Sequence, residues 1–169
     1  MAWTPENILG YHSYAKDYIS GYGTKIDCAD LAIACLIDYA DKNSLKISLK
    51  YYSNEWQWLH FPEQGTATNA FKRKAMRMLG ALNLIDNSIP IPLPAAKSGD
   101  LIMTKWSSSL GHTRVVYSIA AIPDSADFEV VWYQGNLPPV VPQKRTGKFS
   151  EIDKVFGGSP RRWRFEQFG

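Results

Sequence analysis

The chain has 169 residues, the length of one ordinary domain. With 45% hydrophobic and 21% charged residues it is neither disordered nor fibrous, and a formal net charge of +3 is too small and too scattered to mark a nucleic-acid partner. Two cysteines exclude a disulfide-dense scaffold, no run approaches the ~18 apolar residues of a membrane span, and Met1–Asn7 has neither a basic nor an apolar signal region. These features lead us to expect one soluble domain over residues 1–169, without membrane insertion or an export signal.

The first segment reads as a helix. Thr4 can cap it, Pro5 suits its first position, and Ile8, Tyr11, Ala15 and Tyr18 recur at helical spacing up to the Gly21-Tyr22-Gly23 turn. A second helix begins close to Cys28 with Asp27 as its cap and ends near Lys42-Asn43. Leu31 to Ile37 and Ala40 make it apolar on nearly every side, so it belongs in the middle of the domain. Trp56 to Phe61 reads as a Trp-rich loop. A third helix is expected over Thr68 to Leu79, stopped by Gly80, with Phe71, Ala75, Met78 and Leu79 on its inner face. The Lys72-Arg73-Lys74 run of that helix is a solvated face.

Alternate prolines in Ile89 to Pro94 argue against regular structure there. Strand-like runs follow at Asp100 to Thr104, Thr113 to Ile122, Phe128 to Gln134 and Arg162 to Phe165. Helices first and neighbouring strands afterwards imply an α+β domain with an antiparallel sheet. Aromatic residues, 13% of the chain, are expected mostly in its core.

Cys28 is the most informative position. It opens a buried helix, where unpaired amides and the helix dipole favour thiolate. Cys35, two turns later, serves as a small hydrophobe in an apolar run. Position alone leaves open whether Cys28 is a nucleophile or a second filler. A thiol nucleophile needs a base. Of the three histidines, His12 lies in a helix and His60 in the Trp-rich segment, whereas His112 stands between Gly111 and a β-run, at the mouth of a strand. The far nitrogen of such an imidazole needs a polar partner, and Gln134 and Asn136 at the end of the next strand can supply it. A strand holds a side chain more firmly than a turn. Gln134 is therefore the expected orienting residue, with Asn136 beside it. No metal-ligand spacing, phosphate loop or Gly-x-Ser-x-Gly elbow is visible, and Asp27, Asp30, Asp38 and Asp100 are dispersed.

Five elements occur in a telling order: Tyr18-Ile19-Ser20-Gly21, Asp27-Cys28-Ala29-Asp30, Gly99-Asp100-Leu101, Gly111-His112-Thr113 and Gln134-Gly135-Asn136. Together they resemble the NlpC-type and CHAP-type cysteine peptidases and amidases of the papain-like superfamily, over residues 18 to 136. Ala29-Asp30 departs from the Ser-Gly that usually follows the nucleophile, which marks an outlying member. The resemblance implies a papain-like fold with a central buried helix on an antiparallel sheet. It implies Cys28 as nucleophile, His112 as base, Gln134 or Asn136 as the third member, and Tyr18 with Asp27 beside the substrate carbonyl or oxyanion. Neither metal nor organic cofactor is implied.

Bacterial members commonly hydrolyse amide bonds of peptidoglycan stem peptides. A bare domain without a signal peptide is similar to type VI secretion amidase effectors. Such proteins are made in the bacterial cytoplasm, delivered to a target cell's periplasm, and partnered by secretion machinery and an immunity protein. A phage endolysin, a papain-like deamidase or transferase toxin acting on proteins, and a catalytically inactive binding module stay open as alternatives.

Overall fold

Two capped helices set the frame. The Thr4 hydroxyl accepts the Asn7 N–H at 3.2 Å and Pro5 follows it, starting α1 (Pro5–Gly21). The Asp27 carboxylate accepts the Asp30 N–H at 2.8 Å and starts α2 (Cys28–Lys42). These features belong to a computed structural model that describes residues 2–156 and 158–169. Every residue of α2 from Leu31 to Ile37 is fully buried. Tyr11, Ala15 and Ile19 of α1 cover one side of α2, and Phe71 and Ala75 of α3 (Thr68–Met78) cover another. Lys72 on α3 then reaches back across α2 to the Asp38 carboxylate at 2.7 Å.

The remaining side of α2 is closed by a six-stranded, wholly antiparallel sheet in the order β3-β8-β4-β5-β6-β7. Its strands are β3 (Ser88–Pro90), β4 (Leu101–Lys105), β5 (Gly111–Ala121), β6 (Phe128–Gln134), β7 (Gln143–Lys148) and β8 (Ser159–Trp163). Side chains alternate across it. Leu101, Met103 and Val115 join the large core with α1 and α2, while Ile102, Val116, Val130 and Trp132 form a smaller one with Ile152 of α5 (Phe149–Phe156). Rings from both chain ends pack together. Trp3 lies 4.6 Å from Phe165 between centroids, and the Trp163 indole donates to the Tyr11 hydroxyl at 3.0 Å. Trp3, Trp132 and Trp163 are thus buried, whereas Trp56, Trp58 and Trp106 are 49–57% exposed.

The α+β class with antiparallel pairing is present, but three local expectations are corrected. Trp56 to Phe61 is no loop: β1 (Ile47–Ser53) and β2 (Glu55–Phe61) form a separate hairpin between α2 and α3. Leu49, Leu59 and Phe61 face inward and Trp56, Trp58 and His60 outward, and that alternation across two strands is what the aromatic density obscured. Ser88–Pro90 is a strand despite its proline, because β3 lies at the sheet edge, where a missing donor costs no ladder bond. The last strand ends at Trp163, so it starts and stops earlier than the Arg162 to Phe165 reading. Strand β7, Gln-Lys-Arg-Thr-Gly-Lys, has no apolar signal because it is a charged, exposed edge. The short helix α4 (Ala81–Asp86), which precedes β3, also went unread.

Asp100 sits fully buried just before β4 and holds the sheet together laterally. Its carboxylate accepts Arg162 Nε at 2.9 Å, Arg162 Nη2 at 2.7 Å and the Lys97 N–H at 2.8 Å. Removing it strands a part-buried guanidinium. We expect Asp100→Ala to lose about 3 kcal/mol of stability, read as a lower urea midpoint with an unchanged denaturant slope. A midpoint equal to that of the wild type would show the pair to be dispensable.

Candidate active site

The first turn of α2 is fixed by backbone contacts with the chain that leaves β6. Ile26 exchanges hydrogen bonds with Val140, at 2.9 and 3.2 Å, and its carbonyl also accepts the Asn136 N–H at 3.3 Å. A Cβ at Gly135 would lie 2.4 Å from the carbonyl oxygens of Ile26 and Asp27, so only glycine permits this approach. Cys28 is thereby held at the point where β6 stops and the start of β5 is left without that neighbour. The backbone amides of Thr113, the residue after His112, of Ala29 and of Cys28 itself act on its thiol and lower its pKa.

Three effects compete at this sulfur. Burial pushes the thiol up and prevails, the Thr113 N–H pulls it down, and the Asp27 carboxylate raises it again. The resting group is a thiol. Cys35 is a fully buried thiol on the same helix, pushed further up by burial and only partly relieved by its hydrogen bond with Tyr11. The helix N-terminus therefore leaves Cys28 the more available of the two cysteines without making it a resting thiolate.

His112 is mostly buried, and its ring stacks on Trp106 with 5.9 Å between centroids and 7° between planes. Burial lowers its pKa, the nearby Arg114 guanidinium lowers it further, and the hydrogen bond of the Gln134 side chain and the Asp27 carboxylate raise it. It is neutral at pH 7, the state a general base requires.

The sequence-derived residues divide between two crevices. His112, Gln134 and Asn136 line one of about 410 Å³ together with Trp106, Arg114, Trp132 and Arg145. Asp27 and Cys28 line another of about 430 Å³ with Gly80–Asn83, Ser108–Gly111 and Leu137. The two meet at Gly111/His112 and at Asn136/Leu137, consecutive residues that face opposite ways. The pairing register supplies the reason. Thr113 lies opposite Met103, on the α2 side, while His112 lies opposite Thr104 on the other side. Gln134 also accepts the Trp132 indole N–H at 2.8 Å, whereas the exposed Asn136 turns its Oδ1 to the Leu137 N–H at 2.8 Å.

Tyr18 is placed elsewhere. Its hydroxyl donates to Asp38 at 2.7 Å, about three turns along α2 from Cys28, and it lines neither crevice. The Tyr-x-x-Gly spacing carries no information about which way the tyrosine leaves α1. Asp27 is adjacent to the sulfur, but its Oδ1 is committed to the helix cap. His12 is buried with Nδ1 at 2.7 Å from the Ser98 carbonyl, and His60 lies on the outer face of β2, so neither joins the site. Arg114, Trp106, Trp132 and Arg145 were not foreseen. The two-residue spacing of His112 and Arg114 was the available signal for the first of these. Asp30, in the first turn of α2, has its carboxyl raised to about 7 by burial and by Asp27, with a buried Oδ1 that lacks a hydrogen-bond partner among the described residues.

Among the described residues no group of three or more His, Cys, Asp and Glu is arranged to hold a metal, and no helix is long and apolar enough to cross a membrane. The pKa shifts give a direct expectation for the thiols. Because the Cys28 pKa is raised, the rate of carbamidomethylation by iodoacetamide should climb with pH through and beyond the ~8.5 of a free cysteine. It should exceed the Cys35 rate throughout, as peptide mapping of the native protein would show. Equal, slow labelling of both would place Cys28 in the core.

No family model matches the chain, and no curated protein and no solved structure matches it either.

Proposed function

We propose that the chain is a cysteine hydrolase of the papain-like kind that cleaves amide bonds in peptidoglycan stem peptides. The observation that carries the reading is the placement of Cys28 at the capped first turn of a buried helix, in a crevice that also includes Gly111, the residue before His112. The peptidoglycan substrate rests on the resemblance in the ordered motifs.

The chemistry assigns each group a task. Catalysis requires the neutral His112 imidazole within hydrogen-bond reach of the Cys28 thiol, whose proton it takes as sulfur attacks the amide carbon. The backbone N–H groups around Cys28 stabilise the oxyanion that forms. The imidazolium returns its proton to the departing amine, leaving a thioester. Water, deprotonated by the same imidazole, then releases the acid and restores the thiol. Gln134 lines the same crevice as His112 and its side chain raises the imidazole pKa, so the orienting role goes to Gln134 and Asn136 takes a place beside it.

A second reading, a binding module with an inert thiol, is favoured by the raised Cys28 pKa and by the separate crevices. Digestion of purified peptidoglycan followed by mass spectrometry of the fragments decides between them. We expect wild-type protein to release peptide fragments, and Cys28→Ala and His112→Ala each to lose at least about a thousandfold while remaining folded. Intact peptidoglycan with wild type, or cleavage that survives Cys28→Ala, rejects the hydrolase. For the third position, Gln134→Ala should slow turnover by about tenfold to a hundredfold and Asn136→Ala by much less, because a neutral amide orients the imidazole but does not transfer the proton. The reverse order would reassign the role.

A further inference from the structure

The hairpin of β1 and β2 carries side chains that neither crevice of the candidate active site uses. Its register pairs Ser48 with His60, Lys50 with Trp58 and Tyr52 with Trp56, and strand alternation puts all six side chains on the outward face. Tyr52, Trp56 and Trp58 are 62%, 50% and 49% exposed, an aromatic surface rather than scattered single rings. Each ring is held by a neighbour. Tyr52 meets Trp56 edge to face at 5.6 Å, the Lys50 ammonium lies 4.8 Å from the Trp56 centroid, and Trp58 runs parallel to the His60 imidazole at 6.2 Å. The Ser48 hydroxyl and His60 Nδ1 are 3.0 Å apart. At that last pair the face opens into a crevice of about 320 Å³, where Lys46, Ser48 and His60 stand with Phe61, Pro62 and Phe168.

The chemistry of this face selects its guest. None of the six side chains is aliphatic and none is a carboxylate, and the one ammonium already lies over an indole. Charge complementarity therefore favours an uncharged guest over a polyanion or a polycation. A lipid surface is a poor match, because the hairpin leads with Ser53-Asn54-Glu55 and insertion would bury the Glu55 carboxylate. Rings already fixed by their neighbours cost little entropy to cover, and their electron-rich faces attract polarised C–H groups. A pyranose presents such C–H groups on its faces and hydroxyls around its edge, where Ser48, Lys50 and His60 can meet them with donors and acceptors. The crevice at the end of the row sets apolar Phe61, Pro62 and Phe168 beside polar Lys46 and Ser48, the combination that an acetamido methyl and its amide require.

We propose that the outward face of the β1–β2 hairpin is a binding platform for an N-acetylated pyranose chain, the glycan backbone of peptidoglycan, with Trp56 and Trp58 as stacking residues and the Ser48–His60 crevice taking an acetamido group. That the glycan is that of peptidoglycan rests on the hydrolase reading. Recognition of the N-acetylated sugar does not.

Calorimetric titration of the full chain with chitotetraose, an oligomer of N-acetylglucosamine, tests the platform, with cellotetraose, the same chain without acetamido groups, as the comparison. Peptide-free glycan strands prepared from peptidoglycan test the source in the same way. Co-sedimentation with vesicles of phosphatidylcholine and phosphatidylglycerol tests a lipid surface. We expect saturable binding of chitotetraose and of the glycan strands, clearly weaker binding of cellotetraose, and none to vesicles. Trp56→Ala and Trp58→Ala, at exposed positions that do not endanger folding, should each weaken chitotetraose about threefold to tenfold. His60→Ala should narrow the preference for chitotetraose over cellotetraose. Absence of saturable chitotetraose binding, equal affinity for cellotetraose, glycan strands left unbound, affinity indifferent to both tryptophan variants, or vesicle binding that Trp58→Ala abolishes would each overturn the proposal. The same titration in Cys28→Ala separates the two readings, since the platform should bind there as in the wild type. Binding by a protein that leaves peptidoglycan uncut supports the platform and rejects only the hydrolase, whereas cleavage without chitotetraose binding does the reverse.

Discussion

An α-helix with no polar face has to be covered on all sides, and that constraint organises this protein. Helix α2 satisfies it with α1, α3 and one face of the sheet, so each surrounding element is placed by the need to bury Leu31 to Ile37. Asp38 and the exposed Asp41 and Lys42 at its far end escape full enclosure, and so does its first turn. There the helix has unpaired N–H groups, a capping carboxylate and Cys28. The Cys28 thiol therefore sits at an end of the element that burial dominates over most of its length.

The sheet answers the same demand with two unequal faces. The face towards α2 is apolar and closed. The other carries a small core near α5 and opens, towards the start of β5 and the end of β6, into the crevice of His112, Arg114 and Gln134. Because neighbouring side chains alternate, Thr113 faces α2 while His112 faces the crevice that Arg114 lines. A strand end is well suited to such a role, since the terminus of the neighbouring strand leaves an amide without a ladder partner.

Much of this was legible in the sequence where local physics decides it. The Asp27 cap, the all-round apolar run behind Cys28 and the strand-initiating Gly111-His112 each follow from a short stretch of chain, and each is present in the fold. Asp100 was legible as part of a motif but not as the partner of Arg162, because that ion pair joins strands 62 residues apart. Strand β7 offered no hydrophobic periodicity, being charged and exposed. The tryptophans of β2 disguised an alternation that β1 shares. The role of Tyr18 came from the resemblance of its Tyr-x-x-Gly element, and that element does not reveal that Asp38 takes its hydroxyl. Arg114 illustrates the opposite case. Its distance of two residues from His112 placed both on one face, yet only the register of β4 and β6 shows what else that face gathers.

The close approach at Gly135 has a mechanical side. Backbone packs directly on backbone there, with no flexible side chain between to absorb movement. Gln134 and Asn136 flank that contact and line the guanidinium crevice, while Asp27 and Cys28 continue from its far side. Movement of the end of β6 would be passed directly to the first turn of α2, so the spacing of the two crevices is a property of this glycine.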